Sequence, residues 1–267
     1  MNSTTLKPPF GWVGGKTQLA KEIVSLIPED HNLYVEVFAG ALSVLYAKEL
    51  PSRRKYREVI NDYNEELINL HRCIRKYPET LQMYLNQLLI SRTLFEDIKN
   101  GKCKPRNDIE RAAFYFFRIK LSFGSKGDSF AMTAKHEKPN SIYINFFKWA
   151  KRLKFVTIEN MDFEKLIKTY DRKEAFFYCD PPYFETKIYY KNSNFNLEDH
   201  RRLFETLKNI KGRFLLSYND CDYIRELYKD FNIIQSKEIR YTLQDMSNNK
   251  RVKEIYITNY KVKTLFT

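Results

Sequence analysis

Residues 175–183 read Ala-Phe-Phe-Tyr-Cys-Asp-Pro-Pro-Tyr. An apolar, aromatic run of strand length stops at Asp180 and continues as Pro181, Pro182 and Tyr183. Each proline has a fixed φ and no N–H. Asp180 precedes a proline, which biases its backbone toward extended geometry. The product is a stiff turn that presents a carboxylate, backbone carbonyls and an aromatic ring together. An ionised carboxylate and a carbonyl are both hydrogen-bond acceptors. Such a turn suits a planar ligand bearing an NH2 group, with two acceptors for its hydrogens and a ring for its face. In an open α/β sheet, ligands bind beyond the carboxyl ends of the strands, where this turn would sit. Asp and Pro are also common turn formers, so these four residues alone also allow a plain strand-to-loop connection.

Three further groups have types and places that suit ligand binding. Phe10-Gly11-Trp12-Val13-Gly14-Gly15-Lys16-Thr17 is dense in glycine and leads into a helix-like spacing of Leu19, Ile23, Val24, Leu26 and Ile27. A phosphate-binding loop would need glycine five places before Gly15, where the chain has Phe10, and no strand precedes it. That signature is rejected, although a helix start with free N–H groups still suits a carboxylate. Residues 33–38 read as a buried strand with Glu36 near its end, then Ala39-Gly40-Ala41 and a helix over 42–50. Residues 59–62 read as a second short strand ending in Asp62, the place where such folds hold a ribose hydroxyl. An Asx-turn into the next helix is the plainer reading of Asp62. Asp162 follows a strand at 155–159 and can cap a helix over 163–169.

The elements that must position these groups alternate. After the strand at 175–179 come a helix over 196–209, a strand at 213–218 and a short helix to residue 228. A strand at 231–241, a polar loop at 242–251 and a last strand at 254–260 complete the chain. About seven strands with helices between them predict an α/β fold with a mostly parallel, two-faced sheet. The rhythm is broken from 77 to 149, where basic helical segments at 80–99 and 109–121 lead to a polar loop at 122–128. This stretch reads as an insertion above the strand ends, a natural place for recognition.

Composition narrows the partners. The 267 residues carry a formal net charge of +13 with 43% hydrophobic content, enough for a core. A basic chain favours an anionic partner, nucleic acid before a membrane surface. Cys73, Cys103, Cys179 and Cys221 form no C-x-x-C and do not combine with the histidines at zinc spacing, so no metal site is expected. They read as reduced thiols of a cytosolic protein. No signal-peptide segment and no run of membrane-spanning length is visible.

These blocks together resemble the Dam-type, α-group DNA adenine-N6 methyltransferases. The order runs Trp12-Val13-Gly14-Gly15-Lys16, then Glu36-Val37-Phe38-Ala39-Gly40, Asn61-Asp62, the insertion, and Asp180 to Tyr183. The resemblance implies a Rossmann-like class I methyltransferase fold. Its catalytic domain would span 1–76 and 150–267, with a helical target-recognition insertion at 77–149. It implies S-adenosylmethionine contacts at Trp12, Lys16, Asp62 and Asp180, with Glu36, Phe38 and Asp162 lining the same pocket. Catalysis is expected at Asp180, Pro181, Pro182 and Tyr183. Duplex DNA is the implied partner, bound by insertion residues such as Arg92, Arg118, Lys120 and Lys126, with Lys102, Lys104 and Arg106 as further basic candidates. A restriction endonuclease of the same system is a further implied partner, and DNA binding would hold the protein at the nucleoid. The chain departs from the family in its cofactor turn, Gly40-Ala41-Leu42-Ser43, which has fewer glycines, and in lacking an Asn-rich segment at 120–128.

The implied chemistry is methylation of an adenine flipped out of the duplex, because its N6 cannot be reached in the stack. Tyr183 would stack on the base, while Asp180 and the Pro181 carbonyl take the two amino hydrogens. Neither a metal nor a general base of raised pKa is required. An RNA or protein methyltransferase with a related motif, and a catalytically silent nucleic-acid-binding protein, are the competing readings. The former would usually carry Asn at position 180, and the latter has no need of an intact Asp-Pro-Pro-Tyr.

Overall fold

The computed structural model describes residues 5–50, 55–131, 142–184, 195–237 and 254–262. Chain order gives α1 (Ala20–Leu26), β1 (Leu33–Glu36), α2 (Ser43–Ala47), β2 (Arg57–Asn61) and α3 (Glu65–Lys76). Next come the helices α4 (Pro78–Asn86), α5 (Arg92–Lys99), α6 (Asp108–Lys120) and α7 (Phe147–Leu153). The alternation then resumes with β3 (Val156–Glu159), α8 (Phe163–Tyr170), β4 (Ala175–Cys179), α9 (Leu197–Lys208) and β5 (Arg213–Asn219). It ends with α10 (Asp222–Leu227), β6 (Asn232–Gln235) and β7 (Glu254–Thr258). The expected polar loop at 242–251 and the end of the expected strand at 231–241 lie outside the described residues.

The strands form one seven-stranded sheet in the order β3-β2-β1-β4-β5-β7-β6. All pairings from β3 across to β5 are parallel, and β7 runs antiparallel to both β5 and β6. The expected mostly parallel α/β sheet is thus the observed fold. Strand β4 lies at its centre with every residue buried, as a near-continuous apolar run requires when both faces are covered. Successive side chains point to opposite faces. Phe176 and Tyr178 therefore join the core on one face, and Ala175, Phe177 and Cys179 join the core on the other.

The face carrying Tyr178 is covered in part by the inserted helices. Its core runs without a break from Tyr34, Ile60 and Tyr178 to Phe95, Phe116 and Phe146. Helix α7 straddles residue 149. The helical segment expected over 80–99 is two helices, because the chain leaves α4 at Asn86 and starts again at Ser91. The Ser91 side chain caps α5 by accepting from the Leu94 N–H at 3.3 Å. Asn107 caps α6 by accepting from the Ile109 and Glu110 N–H groups. Helix α9 starts with a capping box formed by Asn196 and Asp199.

Two features fix the edge where the parallel strands end. The Asn61 side chain donates to the Val37 and Met161 carbonyls and accepts from the Met161 N–H, at 2.9–3.1 Å. One buried amide thus ties the segments that leave β1, β2 and β3. Reversal of β7 brings its first residue to the same edge, since Glu254 lies opposite Asn219, the last residue of β5. Among the described residues no helix is long and apolar enough to cross a membrane.

Candidate active site

The glycine-dense N-terminal block folds as a turn closed by the Gly15 N–H on the Trp12 carbonyl at 3.0 Å. Its third residue, Gly14, has φ 71°, a conformation that favours glycine. The turn sends Lys16 inward, where it is buried. Its Nζ lies 2.9 Å from Asp180 Oδ1 and 3.8 Å from Glu254 Oε1. The ammonium also donates to the Gly14 carbonyl at 2.8 Å and lies 4.6 Å from the centroid of the Tyr183 ring. Two stretches far apart in the chain therefore meet in one ion pair.

Several carboxyl groups share this corner. Burial opposes the charge on Lys16, but Asp180 and Glu254 hold its pKa above the ordinary value. Asp180 is pushed up to about 6, by burial first and by Glu254 as well, against the opposing pull of Lys16. Glu36, buried at the end of β1, is pushed up to about 8 by burial, with the Asp180 charge adding to the effect. A hydrogen bond from the Tyr34 hydroxyl to Glu36 Oε2 at 2.9 Å works the other way. Carboxyls displaced in this manner at strand ends mark functional sites more often than chance. The Tyr183 ring packs beside Tyr218 with centroids 6.1 Å apart, and Tyr218 bonds His200 Nδ1 at 2.6 Å.

A second group assembles around the turn after β1. Gly40 has φ 47°, and a Cβ there would meet Trp12 Cδ1 at 2.9 Å. Only glycine permits both the conformation and the close approach of the indole. Leu42, buried and without glycine's freedom, also takes a positive φ of 62°, a strain of order 1–2 kcal/mol. Burial of its side chain holds the strained residue in place. Asp62 is half-buried and accepts from the Gly40 N–H at 3.1 Å and the Asn64 N–H at 3.0 Å. The second bond is the Asx-turn anticipated as the plainer reading, and it coexists with the placement of Asp62 beside Gly40 and Trp12.

Phe38 is half-buried between Phe163 and Phe195, with centroids 5.9 and 5.7 Å away. Asp162 caps α8 by accepting from the Glu164 and Lys165 N–H groups. Both of its oxygens also take Arg202 Nη2, at 3.1 and 3.2 Å. Arg202 is further paired with Glu164 and Asp199 and lies over the Phe163 ring. Trp12 and Asp62 meet at Gly40, and Lys16, Asp180 and Tyr183 meet at the β4 end. Asp162 and Phe38 form a third group at the β3 end.

The basic residues of the insertion are engaged in different ways. Arg92 lies 5.0 Å over the Phe130 ring, and Arg118 donates to the Gly127 carbonyl at 3.0 Å. Lys120 is half-buried and donates to the Pro9 carbonyl at 3.2 Å, and burial lowers its pKa. Lys102 pairs with Asp97 and Arg106 with Glu110, while Lys104 is exposed. Lys126 is half-exposed in the loop after α6, whose Ser122 hydroxyl accepts from the Gly127 N–H at 2.7 Å. No group of three or more metal-ligating side chains occurs among the described residues.

A mostly parallel sheet with one reversed strand near its edge, polar groups converging at the strand ends and Asp-Pro-Pro-Tyr beyond the central strand give a Rossmann-like α/β fold with its candidate site at the carboxyl edge of the sheet. The chain belongs to the D12 class N6 adenine-specific DNA methyltransferase family, whose model matches residues 12–242. It is 31% identical to the type II methyltransferase M1.LlaDCHI of Lactococcus lactis subsp. cremoris, over 97% of each chain. It is 24% identical to the type II methyltransferase M.CviBI of Paramecium bursaria Chlorella virus NC1A, over 96% of this chain and all of that one. The retron Ec67 DNA adenine methylase of Escherichia coli is 25% identical, over 86% of this chain and 81% of its own. The protein is therefore a DNA adenine-N6 methyltransferase that takes its methyl group from S-adenosylmethionine.

Sequence reasoning missed two members of this site. Glu254 opens an otherwise apolar strand, and an acid at the start of a buried strand was the available signal. Arg202 carries no motif, and only the packing of α8 against α9 brings it to Asp162.

Proposed function

We infer that Asp180 and the backbone carbonyl of Pro181 are the acceptors for the two hydrogens of the target adenine's amino group. Pro181 and Pro182 stiffen the turn, and Tyr183 stacks on the extruded base. The N6 lone pair is delocalised into the ring, so the amine is a weak nucleophile. Acceptance of its hydrogens by Asp180 and Pro181 returns electron density to nitrogen and fixes its direction. Bound S-adenosylmethionine supplies an electrophilic methyl carbon on a positively charged sulfur. Trp12, Lys16, Asp62 and Asp180 hold it, with Glu36, Phe38 and Asp162 lining the same pocket. Asp62 meets the ribose and Asp162 the adenine ring. Positioning and preorganised acceptors supply most of the acceleration.

The observation that carries the reading is the Asp180 carboxylate at the carboxyl end of β4, ion-paired at 2.9 Å to the buried Lys16 and flanked by the Tyr183 ring. Asp180→Ala is expected to abolish methyl transfer to duplex DNA while circular dichroism shows an unchanged fold. Near-normal turnover by the folded variant would overturn the assignment. Residues 77–149 serve as the target-recognition unit, with Arg92, Arg118 and Lys126 at or near phosphates. Lys120 is spent on the Pro9 carbonyl and joins the insertion to the N-terminal block. Most of the named relatives are type II methyltransferases, which supports a partner endonuclease reading the same DNA sequence. DNA binding would then place the protein on the nucleoid.

A further inference from the structure

We propose that Glu254 is a positioning residue of methyl transfer, holding the Lys16 ammonium between two carboxylates so that Asp180 keeps the basicity its acceptor role needs. The inference rests on Asp180 being the acceptor for the target amino group.

Topology places Glu254 there. In a sheet of parallel strands only a reversed strand brings its first residue to the edge where the others end, and β7 is such a strand. Ser236 clamps its backbone on both sides, the Glu254 N–H donating to Ser236 Oγ at 3.1 Å and the Ser236 N–H to the Glu254 carbonyl at 2.9 Å. The Glu254 side chain is fully buried. A buried carboxylate is costly unless charge and hydrogen bonds compensate it. Lys16, 3.8 Å away, provides such compensation.

The consequence falls on Asp180. The negative charge of Glu254 offsets part of the pull that the Lys16 ammonium exerts on the Asp180 carboxylate. Without Glu254 that pull is unopposed, and Asp180 becomes a weaker base and a poorer acceptor. The other titratable groups facing Asp180 are Glu36 from β1, Tyr178 and Cys179 on its own strand, and Tyr256 from β7. Burial raises the pKa values of Tyr178, Cys179 and Tyr256, so these three stay neutral near neutral pH and the balance among Lys16, Asp180 and Glu254 decides.

The test compares Glu254→Gln, which removes the charge, with Glu254→Asp, which keeps it. Single-turnover methylation of duplex DNA at saturating S-adenosylmethionine is followed against pH. The Asp180 carboxyl is titrated by 13C NMR in the cofactor-free protein. Glu254→Gln should move both the acid limb and the Asp180 titration down by about one unit, the low end of what a neighbouring charge produces. Glu254→Asp should stay near wild type. An unmoved titration in folded Glu254→Gln, or the same shift in Glu254→Asp, overturns the proposal. If Glu254→Gln does not fold, Lys16→Met should raise the Asp180 titration and the double variant Lys16→Met/Glu254→Gln should bring it back down. A double variant that titrates like Lys16→Met alone also overturns it. The NMR titration reads the Glu254 contact without activity, whereas turnover in Asp180→Ala reads the acceptor assignment, so the two failures are distinct.

Discussion

As the proposed acceptor, Asp180 offers both oxygens only when ionised, yet it lies where burial favours the neutral acid. Burial raises its pKa to about 6, with Lys16 opposing the rise. Protonation removes an acceptor and installs a donor facing the amino group. Methylation at saturating substrates is therefore expected to decline as pH falls through about 6, and a rate that stays level down to pH 5 would contradict this. Glu36 shows the linked effect on stability. Its pKa is raised from an ordinary 4.5 to about 8 in the folded protein, so the folded state binds the proton more tightly than the unfolded one. Its contribution to stability is complete below about 4.5 and is lost as pH rises toward 8. In denaturant titrations without cofactor, Glu36→Gln should flatten the decline in stability across that window. An undiminished decline would place the linked group elsewhere. Neither value was legible from residue type, because both depend on the burial and neighbours that folding assembles.

At the scale of elements, the ends of the first three strands depend on Asn61. Its side chain satisfies the Val37 and Met161 carbonyls and the Met161 N–H. Removing one partner of a buried hydrogen bond costs about 1–3 kcal/mol. Asn61→Ala should lower unfolding stability in urea by at least about that amount and loosen the loops that hold Asp62 and Asp162. A stability change within error would show that water replaces the amide there. The motif Asn61-Asp62 drew attention to the acid, whereas the amide before it fastens the loops. Strand and helix placement was largely legible, since β4 and α9 declare themselves by an apolar run and a capping signal. The break between α4 and α5 was not, because residues 87–91 keep an apolar character across it.

At the scale of the whole molecule, a net charge of +13 implies DNA binding that weakens with salt. Each phosphate neutralised adds roughly 0.9 to the slope of log affinity against log salt. Binding of a non-specific duplex measured from low to moderate NaCl should give a straight line of negative slope. Lys120→Met should leave that slope unchanged, because the wild-type ammonium is directed at Pro9. Affinity indifferent to salt would remove the electrostatic account. The helices between β2 and β3 share one core with the sheet through Phe95, Phe116 and Phe146, so these helices and the strand-end corner are carried on a continuous packed body.

The amino-acid sequence alone determined the alternation of strands and helices, the stiff acidic turn after the central strand and the family resemblance. These are local matters of periodicity, proline geometry and residue order. Tertiary structure alone decided which distant groups touch: Lys16 against Asp180, Trp12 against Gly40, Arg202 against Asp162 and Glu254 against Lys16. Those pairings follow from strand order and from the reversal of β7, which are set by how faces bury against one another and leave no local mark at the residues concerned.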